Sequence, residues 1–311
     1  MSKKYLISEK GNWYKANLHC HTTVSDGKLT PEQIKEEYKK RGYSIVAFSD
    51  HFSLTPHIDL KDKDFLPITA MEPGIGKEET PFWTQTYHLN FYSKKENRDT
   101  FFDFEKIYSV DNINSVIEKA NAEGFLVQYN HPRWSQQESE MFVNLKGLWG
   151  FEIFNTSCDM GFANGYGDEE YIQLLRRDLT VVPSANDDNH NARQLDDPLS
   201  DSFGGFTMIK AENLEYDTVL SAMEKREVYA STGPIIKELY VENGEIHVIT
   251  EPCSAVILFA QKRYHKAVRS HTDSLTHTVF EINDDYAYVR FEVIDSKRNK
   301  AMTRVYLKSE L

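Results

Sequence analysis

The sequence has few cysteines and no long apolar run. Its three cysteines, Cys20, Cys158 and Cys253, are widely spaced and form no CxxC pair, which argues against a disulfide framework and against a thiolate zinc site. No apolar stretch approaches the length of a membrane span, and residues 1–10 lack the apolar core of a signal peptide. We therefore expect a cytoplasmic protein with no membrane partner, although an exported form whose signal peptide has been removed would look the same.

The chain also has fewer basic than acidic residues. The chain carries 36 Lys and Arg against 48 Asp and Glu, a formal net charge of -12, and no Lys/Arg cluster resembles a surface that follows a nucleic-acid backbone. Nucleic acid is therefore not an expected partner. A small phosphorylated substrate stays open, because carboxylates that coordinate cations contribute to the negative total.

Segments typical of strands and helices alternate up to about residue 233, which is the pattern of an α/β fold with a mainly parallel sheet. Thr30, Pro31 and Gln33 predict a helix start, because they supply an N-cap, a proline at the first helical position and a capping-box glutamine. Beyond the turn at 232–234 the pattern is of strands alone. We predict an α/β domain over residues 1–233 and a small, sandwich-like antiparallel β module over residues 234–311.

The expected strands of the first domain place polar residues at or just after their C-terminal ends, where parallel α/β folds carry their sites. These strands are 13–21, 44–48, 65–70, 87–92, 125–129, 150–154 and 180–184, with helices at 31–41, 112–123 and 169–177. The expected strands of the β module are 236–242, 245–250, 255–261, 278–282, 286–295 and 302–307.

His19 and His21 occupy positions i and i+2 of the first long strand. Their imidazoles therefore project from one face, while Leu18 and Cys20 point to the other. Two nitrogen donors then converge on one point. Taken alone, the pair could equally be a structural coincidence.

More histidines and carboxylates follow at later strand ends. Of the seven histidines before residue 200, only His57 falls outside this pattern. Unrelated histidines would scatter over helices and surface loops, so we interpret the set as one metal-binding cluster. Its members are His19, His21, Asp26, His51, Glu72, His88, His131, Asp188 and His190.

Imidazoles mixed with carboxylates suit zinc, manganese or iron, and the lack of thiolates argues for a catalytic rather than a structural site. Nine donors exceed the needs of one ion, so two or three divalent ions with a bridging carboxylate are expected. Such a cluster lowers the pKa of bound water and holds the attacking and leaving oxygens of an in-line displacement. The sequence therefore predicts a metal-dependent hydrolase.

Four segments, together with Glu72 and His88 between them, resemble the motif pattern of the PHP (polymerase and histidinol phosphatase) superfamily. The resemblance spans roughly residues 15–233 and fills the nine metal-ligand positions of that family. The segments are His19-Cys20-His21-Thr22 with Ser25-Asp26-Gly27, then Ser49-Asp50-His51, Asn130-His131-Pro132 and Asp188-Asn189-His190.

The resemblance implies a distorted (β/α)7 barrel that binds two or three metal ions at the C-terminal ends of its strands. It implies three ligand groups, the first two of which share Glu72 as a bridge. The candidate catalytic residues are Asp26, His51, His190 and Arg133. The groups are His19, His21, Glu72 and Asp188 for one ion, Glu72, His88 and His131 for a second, and Asp26, His51 and His190 for a third.

Several neighbouring residues have two interpretations each. Arg133 could clamp a substrate phosphate or form a surface salt bridge. Glu152 and Asn155 resemble the family's strand-end acid and amide, which line the cleft, with a supporting role as the alternative. Asp50 could orient His51 or cap a turn. We expect the aromatic stretch 83–92 to pack in the core rather than shape a pocket, and the remaining histidines to be surface residues: His57, His247, His265, His271 and His277.

The expected reaction is hydrolysis of the phosphate ester of a small molecule, such as a nucleotide or a sugar phosphate, by in-line attack of a metal-bound hydroxide. Two alternatives stay open. The same cluster could hydrolyse an amide or a non-phosphate ester, as in amidohydrolase barrels, or it could stabilise a non-catalytic binding module. Homo-oligomer formation through the C-terminal β module is a further hypothesis.

Overall fold

The computed structural model describes residues 3–77, 80, 84–261 and 263–311. Up to residue 231 its helices are α1 (Pro31–Lys40), α2 (Val110–Ala122), α3 (Ser139–Phe142), α4 (Thr156–Phe162), α5 (Asp168–Leu175) and α6 (Tyr216–Glu224). The strands of this part are β1 (Lys4–Tyr5), β2 (Asn12–Cys20), β3 (Ile45–Phe48), β4 (Leu66–Met71), β5 (Gly74–Gly76), β6 (Thr86–Ser93), β7 (Phe125–Tyr129), β8 (Gly150–Asn155), β9 (Val182–Asn186), β10 (Phe206–Ala211) and β11 (Val228–Ser231).

The C-terminal part contains β-strands and one short 3-10 turn within the described residues, as the sequence predicts. Its strands are β12 (Ile236–Glu242), β13 (Glu245–Cys253), β14 (Ala255–Ala260), β15 (His265–Arg269), β16 (Leu275–Glu281), β17 (Tyr288–Ile294), β18 (Lys300–Thr303) and β19 (Tyr306–Leu307). The single strand expected at 302–307 is wrong. It divides into β18 and β19. Strand β18 pairs with β11 and with residues 292–294 of β17, whereas β19 pairs with residues 288 and 289 at the other end of β17.

The α/β class is confirmed, but the large sheet is mixed rather than mainly parallel. The pairs β2–β3–β4 and β7–β8–β9 are parallel, whereas β6 is antiparallel to both β4 and β7, and β10 is antiparallel to β2. The alternation of strands and helices fixes their order along the chain, but it does not fix the direction in which each strand enters a sheet. The strands β1, β5, β10, β11 and β15 and the helices α3, α4 and α6 were not predicted.

Two sheets make up the described part of the fold. The large one runs β15-β14-β17-β18-β11-β10-β2-β3-β4-β6-β7-β8-β9, and the separate antiparallel one runs β1-β12-β13-β16. Leu239 and Val248 of the small sheet lie in the same buried cluster as Leu258 and Phe291 of the large sheet. The sheets therefore share one apolar core. The large sheet continues across residue 233 through the β11–β18 pair, and the division into two domains at that residue stays a prediction.

Helix α1 begins as the sequence predicts. Thr30 is its N-cap, Pro31 its first residue, and Gln33 and Thr30 form a reciprocal capping box. The apolar face of α1 packs Ile34 and Tyr38 into the core. The same buried cluster contains Cys20 of β2 and Val46 and Phe48 of β3, so the helix shares its core with the strands that carry the first histidines.

A salt bridge from this helix to Asp62 gives a prediction about pH. Asp62 Oδ2 lies 2.8 Å from the Nζ atoms of both Lys35 and Lys39. Burial alone would raise the pKa of Asp62, but hydrogen bonds from the two lysines lower it well below its usual value. Because the folded-state pKa lies below the unfolded-state pKa, the bridge stabilises the fold at neutral pH and loses its effect as the pH falls below about 4.

We therefore expect Asp62→Asn to lower the free energy of unfolding by roughly 0.5–1 kcal/mol at about pH 7, since the partly exposed pair is screened by solvent. The difference between the two proteins should shrink steadily as the pH is lowered from about 4 towards 2. Urea unfolding of both proteins across this range measures it. A difference that grows with acidity would contradict the assignment.

Candidate metal centre

The two histidines of the first long strand meet over its end. His19 lies in β2 and His21 directly after it, and both side chains are fully buried. Their Nε2 atoms lie 3.2 Å apart, the convergence expected from the i, i+2 spacing. Backbone hydrogen bonds from Asp188 N to His19 O (2.9 Å) and from His21 N to Asn189 O (3.1 Å) bring the segment after β9 against the same strand end.

The Glu72 carboxylate lies at the centre of the cluster. It is fully buried, it follows β4 directly, and both of its oxygens face imidazole nitrogens. One carboxylate thus contacts five of the six clustered histidines. The distances are 3.2 Å to His19 Nε2, 3.3 Å to His21 Nε2, 3.3 Å to His51 Nδ1, 3.1 Å to His88 Nδ1 and 3.4 Å to His131 Nε2.

Asp188 closes the buried side of the cluster. Its Oδ1 lies 3.1 Å from His19 Nε2 and 3.0 Å from His21 Nε2. Its backbone lies in the left-handed region, with φ of 53°, a conformation that costs a non-glycine residue about 1–3 kcal/mol and is typical of functional sites. The strain is thus placed on a residue that faces the histidines.

Asp26 forms an accessible rim on the other side. Its side chain is 54% exposed, and its carboxylate oxygens lie 3.5 Å from His190 Nε2, 3.8 Å from His51 Nε2 and 3.9 Å from His21 Nδ1. The cluster therefore has a buried floor around Glu72 and an edge open to solvent at Asp26.

Within the described residues, several groups of donor atoms have the spacing that a metal ion needs. In each group, one donor atom per residue lies within 4.8 Å of the others. Imidazole and carboxylate donors in this mixture suit divalent transition metals. The groups are His19, His21, Glu72 and Asp188; Glu72, His88 and His131; His21, Asp26, His51 and His190; and His19, His131 and Glu152.

Two buried polar atoms also fit a cation. In the part of the chain that the structure describes, His21 Nδ1 and Glu72 Oε2 are buried and make no hydrogen bond. Such atoms are rare in folded proteins, because each carries an uncompensated desolvation penalty. A cation among these donors would compensate that penalty, so the residues present fit divalent metal binding.

The carboxylates also favour protonated histidines. Burial alone would lower the pKa of His21, but the carboxylates of Asp188 and Glu72, 3.0 and 3.3 Å from its Nε2, raise it to about 9. The same two carboxylates outweigh burial at His19 and His131 and raise their pKa, whereas burial dominates at His51 and lowers its pKa. Protons therefore compete with a cation for the nitrogen atoms.

Glu152 and Asn155 hold the cluster from behind. Glu152 Oε1 lies 2.9 Å from His19 Nδ1, and Asn155 Nδ2 donates to Glu152 Oε2 (2.9 Å) and to Asp188 Oδ2 (3.0 Å). A hydrogen bond from His19 Nδ1–H to the carboxylate leaves Nε2 directed at the cluster. Both residues lie in β8, with Asn155 as its last residue, so the sheet itself places them.

This contact gives a further prediction. Glu152→Gln is expected to weaken metal affinity by about 10- to 100-fold, because the support of a ligating histidine is lost while the ligands stay in place. Competition with a chromophoric chelator measures the affinity. Glu169→Gln, on the exposed side of α5, is the matched control, and an unchanged affinity in Glu152→Gln would refute the supporting role.

Two aspartates that sequence reasoning missed shape the loop after β9. Asp201 accepts hydrogen bonds from the backbone N–H groups of His190 (2.8 Å) and Asn191 (3.0 Å). Asp187 is buried beside Asp188 but faces away from the histidines, and its adjacency to the predicted motif was the only available signal. It accepts from the Tyr38 hydroxyl (2.8 Å), the Thr156 hydroxyl (2.7 Å) and the backbone N–H groups of Phe203 (2.8 Å), Gly204 (3.1 Å) and Gly205 (3.1 Å).

Arg133 and Asp50 both make the contacts of the second interpretation given for each: a salt bridge for Arg133 and a turn cap for Asp50. Arg133 is partly exposed, and its Nε lies 3.0 Å from both carboxylate oxygens of Glu170. Phosphate binding by Arg133 stays a prediction. The Asp50 carboxylate accepts from Thr22 N (2.7 Å) and Ser25 Oγ (2.7 Å), which fixes the turn that carries Asp26.

The other histidines lie away from the cluster. His57 is half-buried, because its ring packs edge-on against Phe48, with 4.8 Å between ring centroids. His265, His271 and His277 are exposed, and His247, half-buried, lies 3.0 Å from His277. In the aromatic stretch, Trp83 lies outside the described residues, and Tyr87, Phe91 and Tyr92 are buried as expected.

Two cavities adjoin the cluster. One of about 380 Å³ is lined by Asp26, His51, Glu72, His88, His131, Asp188 and His190, together with Trp134, Phe162 and Asp201. The other, of about 580 Å³, shares His88, Trp134 and Phe162 with the first and includes Arg133. Volumes of this size are typical of small-molecule sites. The donor atoms are therefore reachable by a small ligand.

The fold and site define a mixed α/β protein with a histidine and carboxylate cluster that suits divalent metal ions. The PHP domain family matches residues 17–186, more than half of the chain, and the chain belongs to this family. The family resemblance is confirmed. Asp188 and His190 lie just beyond the matched residues. No curated protein matches the chain.

Three solved structures are similar to parts or all of the chain. A two-domain protein from Bacteroides vulgatus containing a predicted PHP-like metal-dependent phosphoesterase is 14% identical, with a TM-score of 0.47 and coverage of 98% of this chain and 99% of the other. A protein from Bifidobacterium adolescentis, assigned as a metal-dependent phosphoesterase, is 16% identical, with a TM-score of 0.39 and coverage of 63% and 94%. An amidohydrolase from Chromobacterium violaceum with bound sulfate and no metal is 11% identical, with a TM-score of 0.41 and coverage of 56% and 87%.

Among the described residues, no helix is long and apolar enough to cross a membrane.

Proposed function

We propose that this protein hydrolyses the phosphate ester of a small molecule and uses two or three divalent ions of zinc, manganese or iron. The observation that carries the proposal is the position of Glu72, whose two oxygens each face more than one imidazole. A carboxylate in that position can bridge cations. We further propose that the large sheet, with the segment after β9 bonded back to β2, is a distorted (β/α)7 barrel.

The ligands divide into three groups in this proposal. His19, His21, Glu72 and Asp188 hold one ion, Glu72, His88 and His131 a second, and Asp26, His51 and His190 a third, with His21 close to the last group as well. When bound, such ions lower the pKa of water and neutralise charge that develops on a phosphoryl group. In the hydrolysis, an oxygen of water bonds to phosphorus while the ester P–O bond breaks, and the alcohol leaves with a proton.

The other side chains position these groups. Glu152 and Asn155 fix His19 and Asp188, Asp50 fixes the turn that carries Asp26, and Asp201 holds the backbone of His190. Asp26, the most exposed of the proposed ligands, lies where a substrate enters from the cavity. Arg133 lines the adjoining cavity, from which it could contact a substrate phosphate in exchange for Glu170.

The experiment is reconstitution. Purified protein is stripped of metal, reloaded separately with manganese, zinc or iron, and assayed against a panel of phosphomonoesters and phosphodiesters, with metal content measured in each sample. We expect turnover with at least one metal and competitive inhibition by inorganic phosphate and sulfate. Hydrolysis of amides or carboxylic esters without inhibition by these anions would establish the amidohydrolase alternative, and a metal-loaded protein with no hydrolytic activity would refute the proposal.

The location and assembly of the protein are also proposals. A cytoplasmic enzyme acting on a small molecule agrees with the cysteine content and the negative net charge. The C-terminal strands offer a surface for homo-oligomer formation. Light scattering of the metal-loaded protein measures its oligomeric state.

A further inference from the structure

Two aromatic side chains line both cavities beside the cluster, and the proposed hydrolysis does not use either of them. Trp134 and Phe162 belong to the lining of the 380 Å³ cavity over the histidines and of the adjoining 580 Å³ cavity. A ligand that reaches from the cluster towards the second cavity therefore passes both rings.

Phe162 is displayed to solvent at a fixed distance from the cluster. Its side chain is 63% exposed, although a phenylalanine is usually buried. It is the last residue of α4, whose N-cap Asn155 donates a hydrogen bond to Asp188. Seven residues of helix span roughly 10 Å, so the helix ties the exposed ring to the proposed metal ligands.

Trp134 lies closer to the cluster. Its ring centroid is 5.3 Å from that of His88 and 5.1 Å from that of His131. The indole is half-buried and lines the cavity. The tryptophan therefore presents part of its ring surface to a ligand in that cavity.

Both rings border the two cavities and so face the same space beside the cluster. We propose that Trp134 and Phe162 form an aromatic clamp for the alcohol part of the substrate, which makes the substrate a phosphate ester of a planar, ring-containing alcohol. This inference rests on the proposed function. Trp134 lies close to His88 and His131. A substrate ring held against it would therefore be only a few covalent bonds away from the ester oxygen.

A comparison of benzyl phosphate with ethyl phosphate tests the clamp, because the two leaving alcohols have similar acidity and differ in the ring. We expect kcat/KM for benzyl phosphate to exceed that for ethyl phosphate by at least about 10-fold, since apolar burial and aromatic packing both favour the ring. Phe162→Ala should reduce this ratio by about 3- to 10-fold. Its side chain is exposed, so the variant is expected to fold.

The matched control is Tyr264→Ala, which removes an exposed aromatic side chain from the hairpin between β14 and β15. It should keep the benzyl-to-ethyl ratio of the unmodified protein. Phe162→Leu separates ring packing from apolar area, and it should restore only part of the ratio. A ratio near one in the unmodified protein, or an unchanged ratio in Phe162→Ala, would overturn the clamp.

A binding measurement separates failure of the clamp from failure of the proposed function. Calorimetry with metal-loaded protein compares benzylphosphonate with ethylphosphonate, which need no turnover. If neither ester is hydrolysed but benzylphosphonate binds at least about 10-fold more tightly, the proposed function fails and the clamp stands. Equal affinities of the two phosphonates would overturn the clamp whether or not the esters are hydrolysed.

Discussion

Glu72→Gln is expected to reduce kcat/KM by at least about 1,000-fold and to lower the metal content of the purified protein. The amide keeps the shape of the side chain but has one acceptor oxygen and no charge, so it cannot bridge two cations. Metal ions contribute several kcal/mol of transition-state stabilisation, and each 1.36 kcal/mol corresponds to a factor of ten in rate. Steady-state kinetics with elemental analysis of the same sample measures both effects.

The matched control is Glu227→Gln, which changes a partly buried carboxylate outside the cluster, one that accepts a hydrogen bond from Ser8 N. It should keep the metal content and the activity. Full activity in Glu72→Gln would refute the bridging role. Normal metal content with lost activity would show that Glu72 acts in catalysis but is not needed to retain the metal ions.

Asp187→Ala is expected to lower the free energy of unfolding by about 3–5 kcal/mol. The substitution removes the acceptor of three backbone N–H groups, those of Phe203, Gly204 and Gly205. The Tyr38 and Thr156 hydroxyls also lose a bond, but each retains a second acceptor. Each buried donor without a partner costs about 1–3 kcal/mol, and partial access of water reduces the sum. The three backbone donors closely follow Asp201, which accepts a hydrogen bond from His190 N. Loss of the Asp187 carboxylate should therefore also displace His190.

Urea unfolding of metal-stripped protein measures this loss, since bound metal would otherwise add its own binding energy to the result. Asp187→Asn retains one acceptor oxygen and should lose less stability. Asp284→Ala, at a fully exposed position, should behave like the unmodified protein. A stable Asp187→Ala variant would show that the loop after β9 does not depend on this carboxylate.

The cluster was accessible to sequence reasoning because its residue types are distinctive and recur at strand ends. His19 and His21 lie on one strand face by the period of two, and His51, His131 and His190 follow the ends of other predicted strands. Local rules of this kind also placed the start of α1 at Thr30 and the strand β7 at its observed bounds. No long-range information was needed for either.

The supporting residues were less accessible, because their partners are distant in the chain. Asp187 binds Tyr38 across 149 positions. Glu152 was named from the family resemblance, but its bond to His19, 133 positions away, was not. Nothing local distinguishes such an acid from a solvated one. The same is true of Phe162, which ends a short unpredicted helix and has a role only beside Trp134.

The sequence by itself determined the class of fold, the order of most strands and helices, and the set of donor residues, because periodicity and capping act over a few residues. Only the tertiary structure decided the direction of the strands, the joining of β11 to β18 in one sheet, and the position of Glu72 among five imidazoles. Those features depend on which distant segments pack together, and packing is the sum of many weak contacts that no local pattern records.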